Sequence, residues 1–164
     1  MSVIAAKVYN DKIIMAADSI ICSCYSKRNS NFAKIVEING MIAGSTGSAQ
    51  EASIMWHYMQ THKPASASEK DVLTFIIEFA QWRGNIDGSK VENVYLLAYQ
   101  GHLFEIQYMF VHEIHDFHAI GAGEDYANAA LYLGHTPRES VKVACELCCF
   151  VSEPIVEYTM VKDA

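Results

Sequence analysis

The chain has 164 residues, of which 51% are hydrophobic and 19% charged, and its formal net charge is −7. This composition excludes a disordered chain, and the length fits a single compact domain over residues 1–164. The acidic balance without a basic stripe excludes a general nucleic-acid binder, and no apolar run approaches the ~20 residues of a membrane span. The N-terminus does not resemble a secretory signal and five cysteines are a poor disulfide framework, so we expect a cytoplasmic protein.

The first half of the chain is predicted to contain two β-hairpins followed by two helices. Apolar runs flank Asn10-Asp11 and Asn39-Gly40, and these residue types tolerate the left-handed backbone of tight turns. Apolar residues at helical spacing follow Ser48 and Ser68, and serine is a favourable N-cap. The predicted strands are 3–9, 12–17, 34–38 and 41–45, with weaker strand character over 19–33, and the predicted helices are 48–61 and 68–83.

The second half repeats this order and adds a last strand. The predicted strands are 92–99, 102–107, 109–113 and 117–121, of which the last two form a further pair, followed by helices over 124–133 and 137–151 and a strand over 155–161. Turn residues predict a loop over 84–90. Two antiparallel sheets between two helix layers would bury every apolar face in this order. We therefore predict an α+β fold, a four-layer αββα sandwich.

Ser2 is the first residue with a chemical interpretation. A methionine that precedes a small residue is normally trimmed, which would leave a free α-amine and a hydroxyl on the same residue. The ordinary pKa of an α-amine is about 7.7–8.0, so this group can act as a base near neutral pH and activate the hydroxyl. Many chains begin Met-Ser, however, and Ser2 taken alone is typical of a processed, inert start.

Three further positions give Ser2 a catalytic setting. Asp18 ends the second strand of the hairpin that Ser2 begins, so the turn can return it to Ser2. Lys34 opens the next strand, and a lysine beside Ser2 would keep the Ser2 amine neutral. Asp18 would pair with Lys34 and fix the position of the lysine. Gly44 lies at a strand-to-helix junction, where its backbone N–H could serve as an oxyanion hole. Each residue alone also fits an ordinary turn or strand edge.

The set resembles the proteasome β-subunit family, and most closely the bacterial HslV-type (ClpQ-type) peptidase. In that family an N-terminal Thr is followed by Asp sixteen positions on and by Lys another sixteen on, and the same intervals separate Ser2, Asp18 and Lys34. The similarity covers most of the chain, with residues 60–115 similar only in pattern. Other matching stretches are Lys34-Ile35, Asn39-Gly40, Ala43-Gly44, Ala119–Gly123, Tyr126-Ala127, Ala129-Ala130 and Ile155–Thr159.

The resemblance implies a catalytic role for four residues. Ser2 would be the nucleophile of an N-terminal nucleophile endopeptidase once Met1 is removed, with support from Asp18 and Lys34. The Gly44 backbone amide would contact the oxyanion. The family also implies a homo-oligomer of stacked rings that degrades unfolded polypeptides delivered by an ATP-driven unfoldase ring.

The resemblance implies no cofactor for peptide hydrolysis itself. Some members bind a structural monovalent or divalent cation through backbone carbonyls near the last helix. By position, these carbonyls would belong to Glu153, Val156 and Thr159.

Three features depart from the family pattern. Ser2 replaces the usual Thr and lacks the methyl group that restricts χ1. Ala122 stands where the family's Gly-Ser-Gly has a serine hydroxyl near the N-terminal amine. Met1 precedes Ser2, so the α-amine reaches the right residue only after processing.

The sequence is also consistent with other functions. The protein could be a ring-forming relative with impaired catalysis, or an N-terminal nucleophile amidohydrolase that acts on a small amide. Metal-capable side chains also occur close together in sequence, and closeness of this kind is typical of zinc sites as well as of polar loops and buried thiols. These side chains are His112, Glu113, His115, Asp116 and His118, and Cys145, Cys148 and Cys149.

Overall fold

The computed structural model describes residues 1–23, 26–28 and 32–162, and for residues 22–23, 26–28 and 87 it describes only the backbone. The strands are β1 Val3–Val8, β2 Lys12–Asp18, β3 Ile21–Ser23, β4 Ser26–Arg28, β5 Ile35–Ile38, β6 Met41–Thr46, β7 Val94–Tyr99, β8 His102–Gln107, β9 Phe110–Ile114, β10 Phe117–Gly121 and β11 Ile155–Val161. The helices are α1 Ala49–Met59, α2 Glu69–Asp87, α3 Glu124–Tyr132 and α4 Pro137–Leu147. Part of the predicted weak-strand segment, residues 24–25 and 29–31, lies outside the described residues, as does Cys24.

Two antiparallel sheets form the centre of the molecule. One has the strand order β10-β1-β2-β11 and the other the order β5-β6-β7-β8-β9, while β3 and β4 form a separate hairpin. Helices α1 and α2 pack on the five-stranded sheet, and α3 and α4 on the four-stranded sheet. The predicted four-layer αββα sandwich is therefore confirmed.

The side-chain alternation along β1 shows how the layers are built. Val3 and Ala5 pack with the apolar residues of α3 and α4. Ile4 and Ala6 point to the other face, where they meet the second sheet. Because successive side chains of a strand point to opposite faces, a strand buried on both sides needs apolar residues at every position, which is why the sequence VIAA contains no polar residue.

Helix α2 extends beyond its predicted end at residue 83. Its last residue is Asp87, and Gly88 follows with φ of 71°, in the left-handed conformation that ends many helices. The Gly88 N–H donates to the Gly84 carbonyl at 3.0 Å. Turn-forming residues over 84–90 predicted a loop. The helix instead continues through Gly84 and ends directly before Gly88, because Gly88 takes the positive φ.

The predicted pairing of 109–113 with 117–121 is wrong. Strand β9 pairs with β8, whereas β10 pairs with β1 of the other sheet, from Val3↔Gly121 to Lys7↔Phe117. The short connection at residues 115–116 thus carries the chain between the two sheets, and the Val8 N–H donates to the Asp116 carbonyl at 2.7 Å. This pairing buries Ala119 against the helices and Ile120 between the sheets, which a hairpin with the edge strand β9 would not do.

No helix in the described part of the chain combines the length and the apolar character needed to cross a membrane.

Phe79 lies on α2 and is fully buried against α1 and the five-stranded sheet. We therefore expect Phe79→Ala to lower the free energy of unfolding by about 3–5 kcal/mol. Its ring lies 5.4 Å from the Tyr58 ring, and truncation would leave a cavity there. Urea unfolding measures the loss. Ile77, on the same helix, is 41% exposed, and Ile77→Ala should cost less than about 1 kcal/mol. Equal losses in the two variants would contradict the assigned core.

Candidate active site

Ser2 lies at the start of β1 and is held by a glycine-containing loop. Its carbonyl accepts a hydrogen bond from the Gly123 N–H at 3.4 Å, and Ser2 is 6% exposed. Gly121 has φ of +100°, and a Cβ at this position would overlap the Ser2 carbonyl oxygen. A Cβ on Gly123 would lie 2.9 Å from the Cβ of Val3. The two glycines therefore let the loop from β10 to α3 pass directly against the N-terminal strand.

Asp18 and Lys34 form a buried ion pair beside Ser2. The Lys34 Nζ lies 2.8 Å from Asp18 Oδ2, and the two side chains are 4% and 0% exposed. The other oxygen, Asp18 Oδ1, accepts from the Val3 N–H at 2.9 Å. The Ser152 N–H, from the segment after α4, approaches Asp18 Oδ2 at 3.4 Å. The structure thus brings together Ser2, Asp18 and Lys34, the three residues whose spacing suggested a site.

Met1 occupies the mouth of this site. Its carbonyl accepts a hydrogen bond from Lys34 Nζ at 3.2 Å, and the residue is 43% exposed. With Met1 in place, the nitrogen of Ser2 is a peptide nitrogen and cannot serve as a base. The lysine ammonium therefore already contacts the backbone immediately before Ser2.

A cleft of about 160 Å³ opens onto Ser2. One side is formed by the start of α1 and the loop that precedes it, and another side by the β3 region. Its lining residues are Met1, Ser2, Ile20, Ile21, Phe32, Lys34, Ser45, Gly47, Ser48, Ala49 and Ala52. The mixture of small and apolar side chains around three serines and one lysine is suited to an extended peptide segment.

The glycine that lines the cleft is Gly47, not Gly44. Gly44 lies inside β6, paired with Ile35 and Leu96, and a Cβ there would meet the side chains of Ile4 and Ile35 at 3.0 Å between the sheets. Gly47 lies after the strand, has φ of +126°, and its N–H makes no hydrogen bond within the described part of the chain. Gly44, the predicted oxyanion contact, therefore serves the close packing of the two sheets, and Gly47 is the glycine that faces the cleft.

Sequence reasoning missed a buried polar cluster behind this loop. Asn93 is 3% exposed and binds the backbone of Ser48, while Glu51 is 1% exposed and accepts from the Asn93 N–H. Glu51 also forms an ion pair with Arg83 and accepts a hydrogen bond from Tyr95. Glu51 lies in the first turn of α1, where an acidic residue is ordinarily typical of a helix start. Glu51 stands three residues after the N-cap, on the apolar face of the helix, where a carboxylate needs partners. This position is the sequence signal that could have predicted the polar cluster.

The structure contradicts the predicted cation site. Val156 and Thr159 both lie in β11, which pairs with β2 along its whole length. Carbonyls three residues apart in a strand point to opposite edges and are separated by roughly 10 Å at ~3.3 Å per residue, too far for a shared ion. Glu153 precedes the strand, so its carbonyl does not change the separation between the Val156 and Thr159 carbonyls. Glu153, Val156 and Thr159 therefore do not form one site.

The histidines and cysteines do not gather into a metal centre. In the described residues, no group of three or more His, Cys, Asp or Glu side chains is placed to hold an ion. His112 in β9 faces Glu69, His115 in the connection to β10 faces Glu113, and His118 in β10 faces Glu105. Because β9 and β10 belong to different sheets, residues that are close in sequence are distributed over two sheets.

Cys145 packs near the ion pair without taking part in it. Burial, together with the Asp18 carboxylate, raises the pKa of the Cys145 thiol to about 12. The thiol is therefore protonated at neutral pH and is a poor nucleophile. Cys148, directly after α4, donates its S–H to the carbonyl of Ala122 at 3.5 Å, and both cysteines pack in the apolar cluster between α4 and the four-stranded sheet.

We expect Lys34→Met to destabilise the protein by about 3–5 kcal/mol, because it leaves the Asp18 carboxylate buried without its cation. Chemical denaturation of the purified variant measures this loss. Lys142 is an exposed lysine on α4, and Lys142→Met should change stability by no more than about 0.5 kcal/mol. A Lys34→Met variant as stable as Lys142→Met would show that the pair does not support the fold.

No protein-family model matches the sequence, and no curated protein matches it. Solved structures do share its architecture. BPH from Thiobacillus denitrificans in complex with epoxomicin superposes with a TM-score of 0.88 at 19% identity, over 99% of this chain and 100% of that chain. A second structure of BPH gives 0.83 at 19% identity over 98% of each chain. Eukaryotic HslV from Trypanosoma brucei gives 0.72 at 17% identity over 96% and 98%. The chain therefore has the proteasome-like fold of BPH and HslV.

Proposed function

We propose that this chain is the peptidase subunit of a proteasome-like ring, in which Ser2 cleaves peptide bonds after removal of Met1. The observation that carries the proposal is the buried Asp18–Lys34 ion pair, which holds a lysine ammonium against the backbone that precedes Ser2. A buried ion pair is a costly feature in a fold that could pack apolar residues instead, and its placement next to a hydroxyl in a cleft suits catalysis.

The first step of the proposed reaction forms an ester on the enzyme. The Ser2 Oγ attacks the carbonyl carbon of the scissile peptide bond, and its proton passes to the α-amine of Ser2. The charge that develops on the carbonyl oxygen is stabilised by the Gly47 N–H. The amine then gives the proton to the departing nitrogen as the C–N bond breaks, which leaves an acyl-Ser2 ester.

The second step restores the enzyme. The Ser2 amine takes a proton from a water molecule, whose oxygen attacks the ester carbonyl. The C–O bond to Ser2 breaks, the proton returns to Ser2 Oγ, and the peptide acid leaves. Throughout both steps the Lys34 ammonium favours the neutral form of the amine, and Asp18 keeps that ammonium in place.

The proposal includes an assembly of stacked homo-oligomeric rings that receives unfolded polypeptides from an ATP-driven unfoldase. The shared fold with HslV supports it. Large apolar side chains exposed on the isolated protomer also support it, because surfaces of this kind usually mark contacts. They include Tyr132 at 80%, Leu133 at 75%, Tyr108 at 72%, Phe110 at 62% and Leu147 at 61% exposure.

We expect Ser2→Ala to abolish the hydrolysis of short fluorogenic peptides, with a loss of at least about 10⁴-fold in kcat, because the variant lacks the nucleophile. Ser2→Thr should retain activity, since it keeps the hydroxyl. Ser53, exposed on α1, is the matched control, and Ser53→Ala should cleave at the wild-type rate.

Intact-mass analysis of the same samples shows whether Met1 has been removed. Treatment of a Met1-retaining preparation with a methionine aminopeptidase should turn on hydrolysis, because the treatment frees the Ser2 amine. Processed, assembled rings that cleave no peptide, even with an unfoldase, would rule out the peptidase and favour a ring-forming protein with impaired catalysis. Cleavage restricted to small non-peptide amides would favour an amidohydrolase.

We expect Gly47→Ala to lower kcat by about 10²-fold or more, because φ of +126° strains an alanine and its Cβ would overlap Asn93 Oδ1, which displaces the oxyanion donor. Steady-state peptide hydrolysis measures the effect. In α2, a Cβ at Gly84 would meet no atom within 4 Å, and Gly84→Ala should leave kcat unchanged. Unchanged kcat in Gly47→Ala would place the oxyanion contact elsewhere.

A further inference from the structure

The loop between β6 and α1 is bound on its inner side by one amide side chain. Asn93 Oδ1 accepts a hydrogen bond from the Ser48 N–H at 2.7 Å, and Asn93 Nδ2 donates to the Ser48 carbonyl at 2.8 Å. The same Nδ2 donates to Ser45 Oγ at 2.9 Å. Asn93 thus contacts the loop on both sides of Gly47, through groups that precede and follow it.

Gly47 itself lies against this side chain. A Cβ at Gly47 would overlap Asn93 Oδ1 and would lie 3.3 Å from Asn93 Cα. Because glycine adopts many backbone conformations at little cost, its own residue type does not fix the direction of its N–H. The contacts made by Asn93 therefore decide the conformation of the loop at the cleft.

Asn93 is in turn held by Glu51. Glu51 Oε1 accepts from the Asn93 N–H at 2.9 Å, and Glu51 Oε2 accepts from the Glu92 N–H at 3.0 Å. Glu51 lies in α1, which starts at the end of the same loop. The carboxylate therefore ties the segment before β7 to the first turn of the helix.

The far side of Glu51 is closed by two further groups. Arg83 from α2 forms an ion pair with Glu51 and donates to the Lys90 carbonyl at 2.8 Å. The Tyr95 hydroxyl donates to Glu51 Oε1 at 2.8 Å, and burial together with Glu51 raises the pKa of Tyr95 far above its usual range. Tyr95 is thus a permanent donor, and the carboxylate is held from three directions by elements of the five-stranded sheet and its helices.

We propose that Asn93, fixed by Glu51, is a positioning residue for peptide hydrolysis that sets the Gly47 N–H toward the developing oxyanion. The proposal rests on the proposed function of Ser2. A donor fixed before the reaction stabilises the transition state without reorganisation, and a loosened donor loses that advantage. Asn93 itself does not line the cleft, so its effect passes through the loop.

The test compares Asn93→Ala with a matched asparagine in the same processed, assembled protein. Asn128 Oδ1 accepts from the Ala119 N–H at 2.9 Å and its Nδ2 donates to the Ala119 carbonyl at 3.2 Å, so it makes similar backbone contacts in the other sheet. Peptide hydrolysis gives kcat and KM separately. Hydrogen exchange followed by mass spectrometry reports the backbone of residues 45–48.

In Asn93→Ala, kcat should fall by roughly 10–100-fold while KM changes by less than about threefold, because the lost interaction acts in the transition state. Exchange in residues 45–48 should become at least about tenfold faster. Asn128→Ala should leave kcat within about twofold of the wild type, because Asn128 contacts the four-stranded sheet and not the loop that carries Gly47. This holds even if the variant is less stable than the wild type. Asn93→Asp keeps the acceptor and the size but loses both N–H donors, and an intermediate kcat is expected.

Several outcomes would overturn the proposal. If Asn93→Ala has the wild-type kcat, or loosens the loop no more than Asn128→Ala does, Asn93 has no positioning role. If Asn93→Ala does not fold, a wild-type kcat and exchange rate in Asn93→Asp lead to the same conclusion. Wild-type protein that cleaves no peptide would instead overturn the proposed function, and the two failures are therefore distinguishable.

Discussion

The ion pair between Asp18 and Lys34 joins the two sheets at the point where the N-terminus lies. Asp18 is the last residue of β2 in the four-stranded sheet, and Lys34 directly precedes β5 at the edge of the five-stranded sheet. Burying both charges is unfavourable unless they are paired and their remaining hydrogen-bonding capacity is used, and the Val3 and Ser152 amides use it on the aspartate. The pair therefore fixes the relative position of the sheets, the first residues of β1 and the segment after α4 together.

The rest of the site follows from how closely the layers pack around that pair. Glycine at 44 lets the sheets approach, because the side chains of Ile4 and Ile35 occupy the space where a Cβ would lie. Glycine at 121 and 123 lets the loop before α3 pass against Ser2 and Val3. Since protein interiors are as dense as organic crystals, an added methyl group at any of these positions would have to displace neighbouring atoms. Small residues thus determine where Ser2 lies.

Two polar clusters lie next to the cleft and share no residue. The Asp18–Lys34 pair presents a cation to the backbone before Ser2. The cluster of Glu51 and Asn93 holds the loop that carries Gly47. In the reaction that we propose, the first cluster serves the nucleophile and its base, and the second serves the oxyanion donor. Each is buried, so water does not screen its interactions.

The helices, most of the strands and the closeness of Ser2, Asp18 and Lys34 could be predicted from the sequence. Strand alternation, helical spacing and turn residues are local signals, and the sixteen-residue intervals place a hairpin end and the next strand beside the N-terminus. Which glycine faces the cleft and which sheet takes β10 followed only from the folded chain. The tertiary structure also decided that Asn93 meets Ser48, a contact between residues 45 positions apart. These outcomes depend on pairing between distant segments, and no local pattern encodes that pairing because any apolar strand can pair with several others.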